Sequence, residues 1–336
     1  MARSGYDFVS RDRCPGCGSG RLETLYRSAF STPPIGDFIR DYYAIDPAIL
    51  DARPYQIDRC LACRLAFQHY VGAAPLLSDL YTDWIGNLDA PDTDARYLED
   101  IHNIRQSRDA HEIMAAASFL GKPLGDLRTL DYGMGWALWA RIAKSLGCQS
   151  FGSDLSLPRM EFAARHGVTP VEDDAIAARQ FDFINAEQVF EHVPDPSDLL
   201  RRLATSLAPG GIVKLSVPSG DRVDDIVRQL NDGSFDGDHG TIMPVHPLEH
   251  VNSFVREAID AMAAGAGLEV VRPGYVHRYA FLRHRGTLNP FRPRSAVREL
   301  VRPWYQYRNP SNIYVWLRAS SDRNSSTSRG AWDASE

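Results

Sequence analysis

Two glycines and two carboxylates in the middle of the sequence have the spacing of a nucleoside-binding site. An apolar segment ends at Asp131 and is followed by Gly133 and Gly135, which suit a turn where no Cβ blocks a ligand. The helix expected after this turn offers unpaired N–H groups at its start. Asp154 follows about twenty residues later, at the end of the next apolar segment, where nucleotide-type folds bind a ribose diol.

The same residues argue against a dinucleotide. The third glycine of a dinucleotide fingerprint is missing after Gly135, where the sequence reads Trp136-Ala137-Leu138, and Asp131 would lie close to the pyrophosphate. The alternative is that the glycines form an ordinary tight turn between a strand and a helix and bind no ligand.

Four cysteines form two C-x-x-C pairs and predict a metal site. Such pairs match a tetrahedral zinc site with four thiolate ligands, in which the metal has no open position for catalysis. A redox role is the alternative, although disulfides are rare in a reducing cytoplasm. The four ligands predicted are Cys14, Cys17, Cys60 and Cys63.

Three residues that follow predicted strands are candidates for acid–base chemistry. His250 titrates near neutral pH, and the adjacent Glu249 could orient it or raise its pKa. His192 follows the fourth predicted strand of the main domain and is the third candidate, although a histidine there could instead order its loop. His239 and His246 are weaker candidates, and a metal bound by these histidines is a minor alternative.

Alternating strand and helix patterns after residue 123 predict how these residues are positioned. The pattern indicates an α/β, Rossmann-like fold, a seven-stranded and mostly parallel sheet with helices on both faces. The carboxyl ends of such strands form the ligand-binding edge. The strands predicted are 128–132, 149–154, 168–172, 181–186, 211–217, 268–271 and 312–318, the last antiparallel at the edge of the sheet.

Two helical segments lie between the cysteine pairs and this sheet. Apolar residues recur at helical spacing over 74–84 and 94–120, and a shorter helix is expected over 37–44. The predicted organisation is a zinc-ribbon module (1–72), a helical linker covering the cofactor (73–122), the main domain (123–319) and a disordered tail (320–336).

The order of the motifs resembles the class I S-adenosylmethionine-dependent methyltransferases. The resemblance covers about residues 125–272 and rests on D-x-G-x-G, on the acid that ends the second strand, and on the sequence from Phe181 to Pro196. It implies that Asp154 binds the ribose hydroxyls and that Asp174 accepts from the adenine amino group, with Asp173 as a competing assignment. The cofactor residues so predicted are Asp131, Gly133, Gly135, Asp154, Asp174 and Gln188. The aromatic residues expected to cover the cofactor are Tyr81, Trp84 and Tyr97. The alternative is that they pack only in the core between the domains.

The cysteine pairs and Glu249-His250 together resemble the deoxysugar C-methyltransferases. That resemblance implies a tyrosine, a glutamate and a histidine around a nucleotide-linked keto-sugar. Pro247 stands where the tyrosine is expected. The residues after 319 do not predict the additional C-terminal domain of that family, and we expect none. The resemblance therefore favours a sugar-like substrate more than transfer to carbon.

Residues 272–308 form an arginine-rich insertion before the last strand. Nine arginines and one acid give this insertion a charge of +8, which leaves −14 for the rest of the chain. Guanidinium groups bind phosphate or carboxylate, and aromatic faces stack on bases or sugar rings. Arg283, Arg285 and Tyr279 are the predicted substrate residues. A solvated surface that packs on the acidic body is the alternative.

Composition limits the function further. The chain has 336 residues, a net charge of −6 and 44% hydrophobic residues, with a pI near 5.9. Nucleic acid is an unexpected partner because a phosphate-backbone binder needs a basic surface. No apolar stretch approaches the roughly 20 residues that span a bilayer, and the first residues lack an apolar signal segment, so a cytoplasmic protein is expected.

The sequence therefore predicts an enzyme with S-adenosylmethionine as cofactor and a structural zinc ion. Its substrate is expected to be a small polar, sugar-type or glycan molecule, with or without a phosphate group, and transfer to oxygen is favoured over carbon. The alternatives are an RNA-modifying methyltransferase and a scaffold whose site is retired. The oligomeric state stays open.

Overall fold

The N-terminal module consists of two small antiparallel sheets and one helix that packs in its core. The computed structural model describes residues 5–85, 95–288 and 293–320. Strands β2, β3 and β4 form consecutive antiparallel pairs, and β1 pairs with β5. The five strands are β1 (Phe8–Ser10), β2 (Leu22–Ser28), β3 (Tyr55–Cys60), β4 (Ala66–Gln68) and β5 (Tyr70–Gly72).

Four α-helices lie among the described residues before 123. They are α1 (Ile35–Tyr43), α2 (Ala74–Asp79), α3 (Ala95–His102) and α4 (Arg108–Leu120). A π-helical turn, Leu80–Trp84, continues α2. The prediction of a single helix over 94–120 is wrong, because α3 ends at His102 and α4 begins only at Arg108. Ser107 begins α4 by accepting from the Ala110 N–H at 3.1 Å, which satisfies an otherwise unpaired donor.

The main sheet has seven strands and confirms the predicted α/β, Rossmann-like fold. Its spatial order is β12-β13-β10-β9-β6-β7-β8, and only β13 runs antiparallel to its neighbours. The strands are β6 (Arg128–Tyr132), β7 (Gln149–Ser153), β8 (Thr169–Pro170), β9 (Phe181–Glu187), β10 (Leu207–Pro218), β12 (Leu268–Val271) and β13 (Asn312–Ala319).

Two strand predictions need correction. The third strand was expected over 168–172 but pairs only over Thr169–Pro170, because the chain turns into a 3₁₀ helix at 173–178. The last strand is antiparallel as predicted, but its edge position is wrong, since β13 lies between β10 and β12. Val315, Trp316 and Leu317 are all buried, so both faces of β13 are covered, as in an inner strand.

Eight further α-helices lie in the described part of the chain after residue 122. Helices α5 to α8, α10 and α12 have eight residues or more, whereas α9 and α11 are single turns. They are α5 (Leu138–Ser145), α6 (Leu157–Arg165), α7 (Pro196–Thr205), α8 (Val223–Asp232), α9 (His239–Ile242), α10 (Arg256–Gly265), α11 (Tyr275–Arg278) and α12 (Pro293–Tyr305). Among the described residues, none of the helices is long and apolar enough to cross a bilayer.

The N-terminal module and the main domain share a sheet and a hydrophobic core. A short strand β11 (Asn252–Ser253), from the segment after β10, pairs antiparallel with β4. Leu65 and Phe67 of the module lie in one buried cluster with Phe190 and Phe254 of the main domain. The segment after β10 is therefore held against the module, at the carboxyl edge of the main sheet.

Candidate functional site

The predicted glycine loop leaves β6 at the carboxyl edge of the sheet. Gly133 and Gly135 both have positive φ, +69° and +52°. A Cβ at Gly133 would come within 2.6 Å of Val189 Cγ2, so no side chain fits there. A Cβ at Gly135 would meet no described atom within 4 Å, so this position faces open space. Ala137 is also left-handed, at φ +58°. Counted from Gly133, the third glycine of the fingerprint would fall on Leu138, one residue after Ala137.

Asp154 lies at the mouth of this loop. Its carboxylate accepts from the Gly135 N–H at 2.8 Å and from the Ser156 N–H at 2.9 Å. Arg159 approaches the same carboxylate at 3.6 Å. The second-strand acid is thus fixed beside the glycine turn, where a diol could exchange for one of the backbone donors.

Asp131 is buried below the loop in a chain of polar contacts. Asn185 donates to Asp131 Oδ1 at 2.7 Å, and the Lys214 ammonium donates to Asn185 Oδ1 at 2.9 Å and also to the Glu187 carboxylate. Burial raises the pKa of Asp131 to about 7. Lys214 was not predicted from the sequence, although a lysine within the apolar segment 212–217 was a detectable signal.

The two adenine-side candidates have different surroundings. Asp173 accepts from the Tyr132 hydroxyl at 2.8 Å and from Arg202 at 2.6 Å. Asp174, the next residue, is exposed, as is Gln188 at the end of β9. Gln188 has φ +53°, and its N–H donates to Ser216 O at 2.8 Å, which turns the chain away from β9.

The predicted covering aromatic residues separate into two groups. The Tyr97 hydroxyl donates to Trp136 O at 3.1 Å, so α3 contacts the glycine loop. Tyr81 lies instead with its ring 6.5 Å from that of His192, and Trp84 with its ring 6.1 Å from that of Tyr43. The Trp136 Nε1–H is buried and meets no acceptor among the described residues, so it is available to a ligand of the loop.

The three predicted acid–base residues are brought together beside α1. The Tyr43 hydroxyl donates to Glu249 Oε1 at 2.8 Å. His192 Nδ1 lies 3.0 Å from Glu249 O, and His250 Nδ1 lies 2.5 Å from Met243 O. The two imidazole centroids are 4.9 Å apart.

Burial sets the charge state of these groups. It lowers the pKa of His192 to about 4 and that of His250 to about 3, so both rings are neutral near pH 7. Burial raises the pKa of Glu249, and the hydrogen bond from Tyr43 opposes that rise. His246 is buried between Tyr43 and His239, and its Nε2 lies 3.2 Å from His239 Nε2.

Two residues of this cluster were missed from the sequence. Tyr43 belongs to the N-terminal module, 206 residues before Glu249, and no local motif connects them. Glu191 precedes His192 directly and is only 1% exposed. Its position beside a candidate histidine was the one available signal.

The four predicted zinc ligands converge at the end of the ribbon. Their sulfur atoms all lie within 4.8 Å of one another, with Cys14 and Cys63 at 3.5 Å and Cys17 and Cys60 at 3.6 Å. A tetrahedral ion with Zn–S bonds of about 2.3 Å places sulfurs roughly 3.8 Å apart, so the donor set fits zinc.

The arginine-rich insertion begins and ends at the ligand-binding edge. It leaves β12 at Val271 and returns at Asn312, which pairs with Pro218 at the end of β10. Arg283 and Arg285 are exposed. The Tyr279 hydroxyl donates to Leu300 O at 2.8 Å, so it joins two helices of the insertion.

Comparison with known proteins gives one matching family model, described as a methyltransferase domain, over residues 97–272. A ubiquinone biosynthesis O-methyltransferase of Burkholderia lata is 33% identical over 138 residues, 38% of this chain and 55% of that protein. Its namesake from Albidiferax ferrireducens is 34% identical over 106 residues, 28% of this chain and 42% of that protein. The chain thus spans about half the length of the curated relatives it matches. The magnesium protoporphyrin IX methyltransferase of Synechocystis, solved with bound SAH, has a TM-score of 0.45 and 15% identity over 74% of this chain and 100% of that chain.

Proposed function

We propose, from the premise that the chain belongs to the class I S-adenosylmethionine-dependent methyltransferases, that it methylates a hydroxyl oxygen of a small polar acceptor. The observation that carries the proposal is the position of Asp154, hydrogen-bonded to the Gly135 N–H at the edge of the sheet that also holds Glu249. Methyl transfer requires that the methyl donor and the acceptor are both held in place, here the donor at Asp154 and the acceptor at Glu249.

The residues of the glycine loop fit S-adenosylmethionine. Asp154 would bind the ribose hydroxyls, and Asp174 the adenine amino group, since the Asp173 carboxylate is already paired with Tyr132 and Arg202. Gly133, Gly135 and Gln188 would form the backbone wall. Asp131 would face the ammonium group of the cofactor. A carboxylate at the end of the strand suits this positive charge, whereas a pyrophosphate carries no positive charge for it to bind. When bound, the cofactor supplies a methyl group on a sulfonium.

The residues beside α1 would prepare the acceptor. Glu249 would accept the proton of the acceptor hydroxyl, and Tyr43 would hold that carboxylate in position through its hydrogen bond. His192 and His250 would line the acceptor site beside Glu249. This assignment gives the two imidazoles an orienting role and gives Glu249 the proton transfer.

The insertion would select an acidic acceptor. Arg283 and Arg285 are exposed on a segment of charge +8 that begins and ends at the ligand-binding edge. Paired N–H donors of arginine suit phosphate or carboxylate groups. Tyr279 would support this segment through its contact with Leu300.

Transfer to carbon is a second candidate that one observation favours. Tyr43 brings a phenol to Glu249, so the structure contains a tyrosine, a glutamate and a histidine in one cluster although Pro247 stands at the expected tyrosine position. This is the residue set implied by the resemblance to the deoxysugar C-methyltransferases.

The test uses zinc-loaded protein and S-adenosylmethionine labelled with ¹³C in its methyl group. Catechol-type and sugar-type acceptors are supplied with and without a phosphate group, and the labelled product is examined by NMR. We expect an O-linked methyl carbon, with phosphate-bearing acceptors preferred. In Glu249→Gln we expect kcat to fall by about 10²–10⁴ while the cofactor Kd is unchanged, because proton transfer contributes a factor of that size.

Glu23→Gln on β2 is the matched control, since it makes the same change of charge on an exposed strand of the module. A C-linked methyl group would select the second candidate. Unchanged kcat in Glu249→Gln would refute the role of Glu249.

A further inference from the structure

Three metal-ligating side chains meet at the carboxyl edge of the main sheet, apart from the four cysteines. Glu191 and His192 follow β9, and His250 lies just before β11. One nitrogen of each ring and one carboxylate oxygen all lie within 4.8 Å of one another. Two imidazoles and a carboxylate are a ligand set that first-row divalent cations bind.

The carboxylate of Glu191 lacks a partner. The residue is 1% exposed, and neither carboxylate oxygen meets a hydrogen-bond donor among the described residues. Buried polar side chains are otherwise nearly always paired, so an unpaired one needs an explanation. Its neighbours are two imidazoles, and a cation between them would satisfy both oxygens.

The two imidazoles are oriented as metal ligands are. His192 Nδ1 donates to Glu249 O and His250 Nδ1 donates to Met243 O, at 3.0 and 2.5 Å. A carbonyl can only accept, so each ring carries its proton on Nδ1 and keeps its Nε2 lone pair free. Metal-binding histidines almost always donate their second ring nitrogen to a carbonyl or carboxylate in this way.

We propose that Glu191, His192 and His250 bind one first-row divalent cation. Three protein ligands leave coordination positions open, so the ion would hold water or an oxygen of the acceptor beside Glu249. A hydroxyl bound to such an ion loses its proton more readily. The site differs from the cysteine site, which has four thiolates and no open position. The inference does not depend on the proposed methyl transfer.

The test is a Co²⁺ titration of protein whose cysteine site is already filled with zinc, in the absence of S-adenosylmethionine. We expect one equivalent to bind and to give the visible absorption of Co²⁺ with nitrogen and oxygen ligands. The intense near-ultraviolet absorption of Co²⁺ thiolates should stay absent, because the cysteines keep their zinc. Absence of binding, or thiolate absorption alone, would overturn the proposal.

Variants identify the ligands. We expect Glu191→Gln and His250→Gln to weaken Co²⁺ binding at least a hundredfold, and His246→Gln to retain it. His246 is the matched control because it is equally buried and its ring centroid lies 5.9 Å from that of His250. Equal binding by Glu191→Gln, or loss of binding in folded His246→Gln, would contradict the assignment.

Thermal unfolding keeps the test independent of activity. Co²⁺ should raise the unfolding midpoint of the parent protein and leave that of Glu191→Gln unchanged, because a ligand stabilises only the form that binds it. Glu191→Gln keeps the shape of the side chain and introduces no charge into the buried site, so it should fold. If Co²⁺ does not bind at this site while the protein still binds S-adenosylmethionine, only the metal inference is refuted.

Discussion

A buried lysine, Lys214, connects the carboxylate of Glu187 with that of Asp131, the latter through Asn185. It donates to Glu187 and to Asn185, which in turn donates to Asp131. A buried charge is tolerated only when it is paired and hydrogen-bonded, and here the pairing extends to the proposed cofactor site. The ionisation of Asp131 should therefore respond to a cationic ligand.

Cofactor affinity should depend on pH through Asp131. Burial raises its pKa from 3.8 to about 7 in the folded protein, so the folded state holds a proton that the unfolded chain releases. In the absence of cofactor, this group's contribution to stability is present below pH 4 and is lost as the pH rises to about 7. The cofactor ammonium prefers the ionised carboxylate, so its binding releases the proton.

We expect the Kd for S-adenosylmethionine, measured by calorimetry, to fall about tenfold from pH 5.5 to 7.5. In Asp131→Asn the same titration should be flat, because the side chain cannot ionise. A parent Kd that is constant over this range would contradict the role of Asp131.

At the scale of single residues, the sequence was enough to select candidate site residues that lie in local motifs. The glycines, Asp154 and the cysteines follow from short-range spacing, and the structure brings the two cysteine pairs together. Tyr43 could not be predicted, because it meets Glu249 only through packing of the N-terminal module on the segment after β10.

At the scale of elements, zinc should support the acceptor cluster as well as the ribbon. The second C-x-x-C pair joins β3 to β4, and β4 pairs with β11, two residues after His250. Helix α1, which carries Tyr43, packs in the core of the same module. Loss of the metal should therefore displace the acceptor residues while leaving the glycine loop intact.

Cys60→Ser tests this coupling. We expect the cysteine site to lose its zinc and the unfolding midpoint to fall by about 6–12 °C, since a loss of about 3 kcal/mol lowers the midpoint by roughly 2–4 °C for each kcal/mol. Methyl transfer should fall at least tenfold while the Kd for S-adenosylmethionine stays within threefold. Cys148→Ser, a buried cysteine outside the zinc cluster, is the control for zinc content. Full activity without zinc would contradict the coupling.

At the scale of the whole molecule, the alternation of strands and helices was enough to predict the α/β class and the seven strands. It did not give the inner position of β13, because periodicity shows that a strand is buried but not which strands flank it. It also did not predict β11, a two-residue strand that joins the main domain to the module. Such short elements depend on tertiary contacts rather than on sequence pattern.

The domain boundaries predicted at 72 and 122 stay a proposal. The four-stranded sheet includes β11 from the main domain, and a second buried cluster combines α1 with Val223, Ile226 and Leu248. The predicted disordered tail, 320–336, lies outside the described residues from 321 onward.

Calorimetric titration of S-adenosylmethionine into the parent and Asp154→Asn tests the central claim most directly. Asp154 accepts backbone N–H groups at the mouth of the glycine loop, and as an amide it would lose the charge that binds a ribose diol. We predict one binding site per chain in the parent protein and an affinity at least tenfold lower in Asp154→Asn. No binding by the parent, or equal affinity in both proteins, would contradict the account.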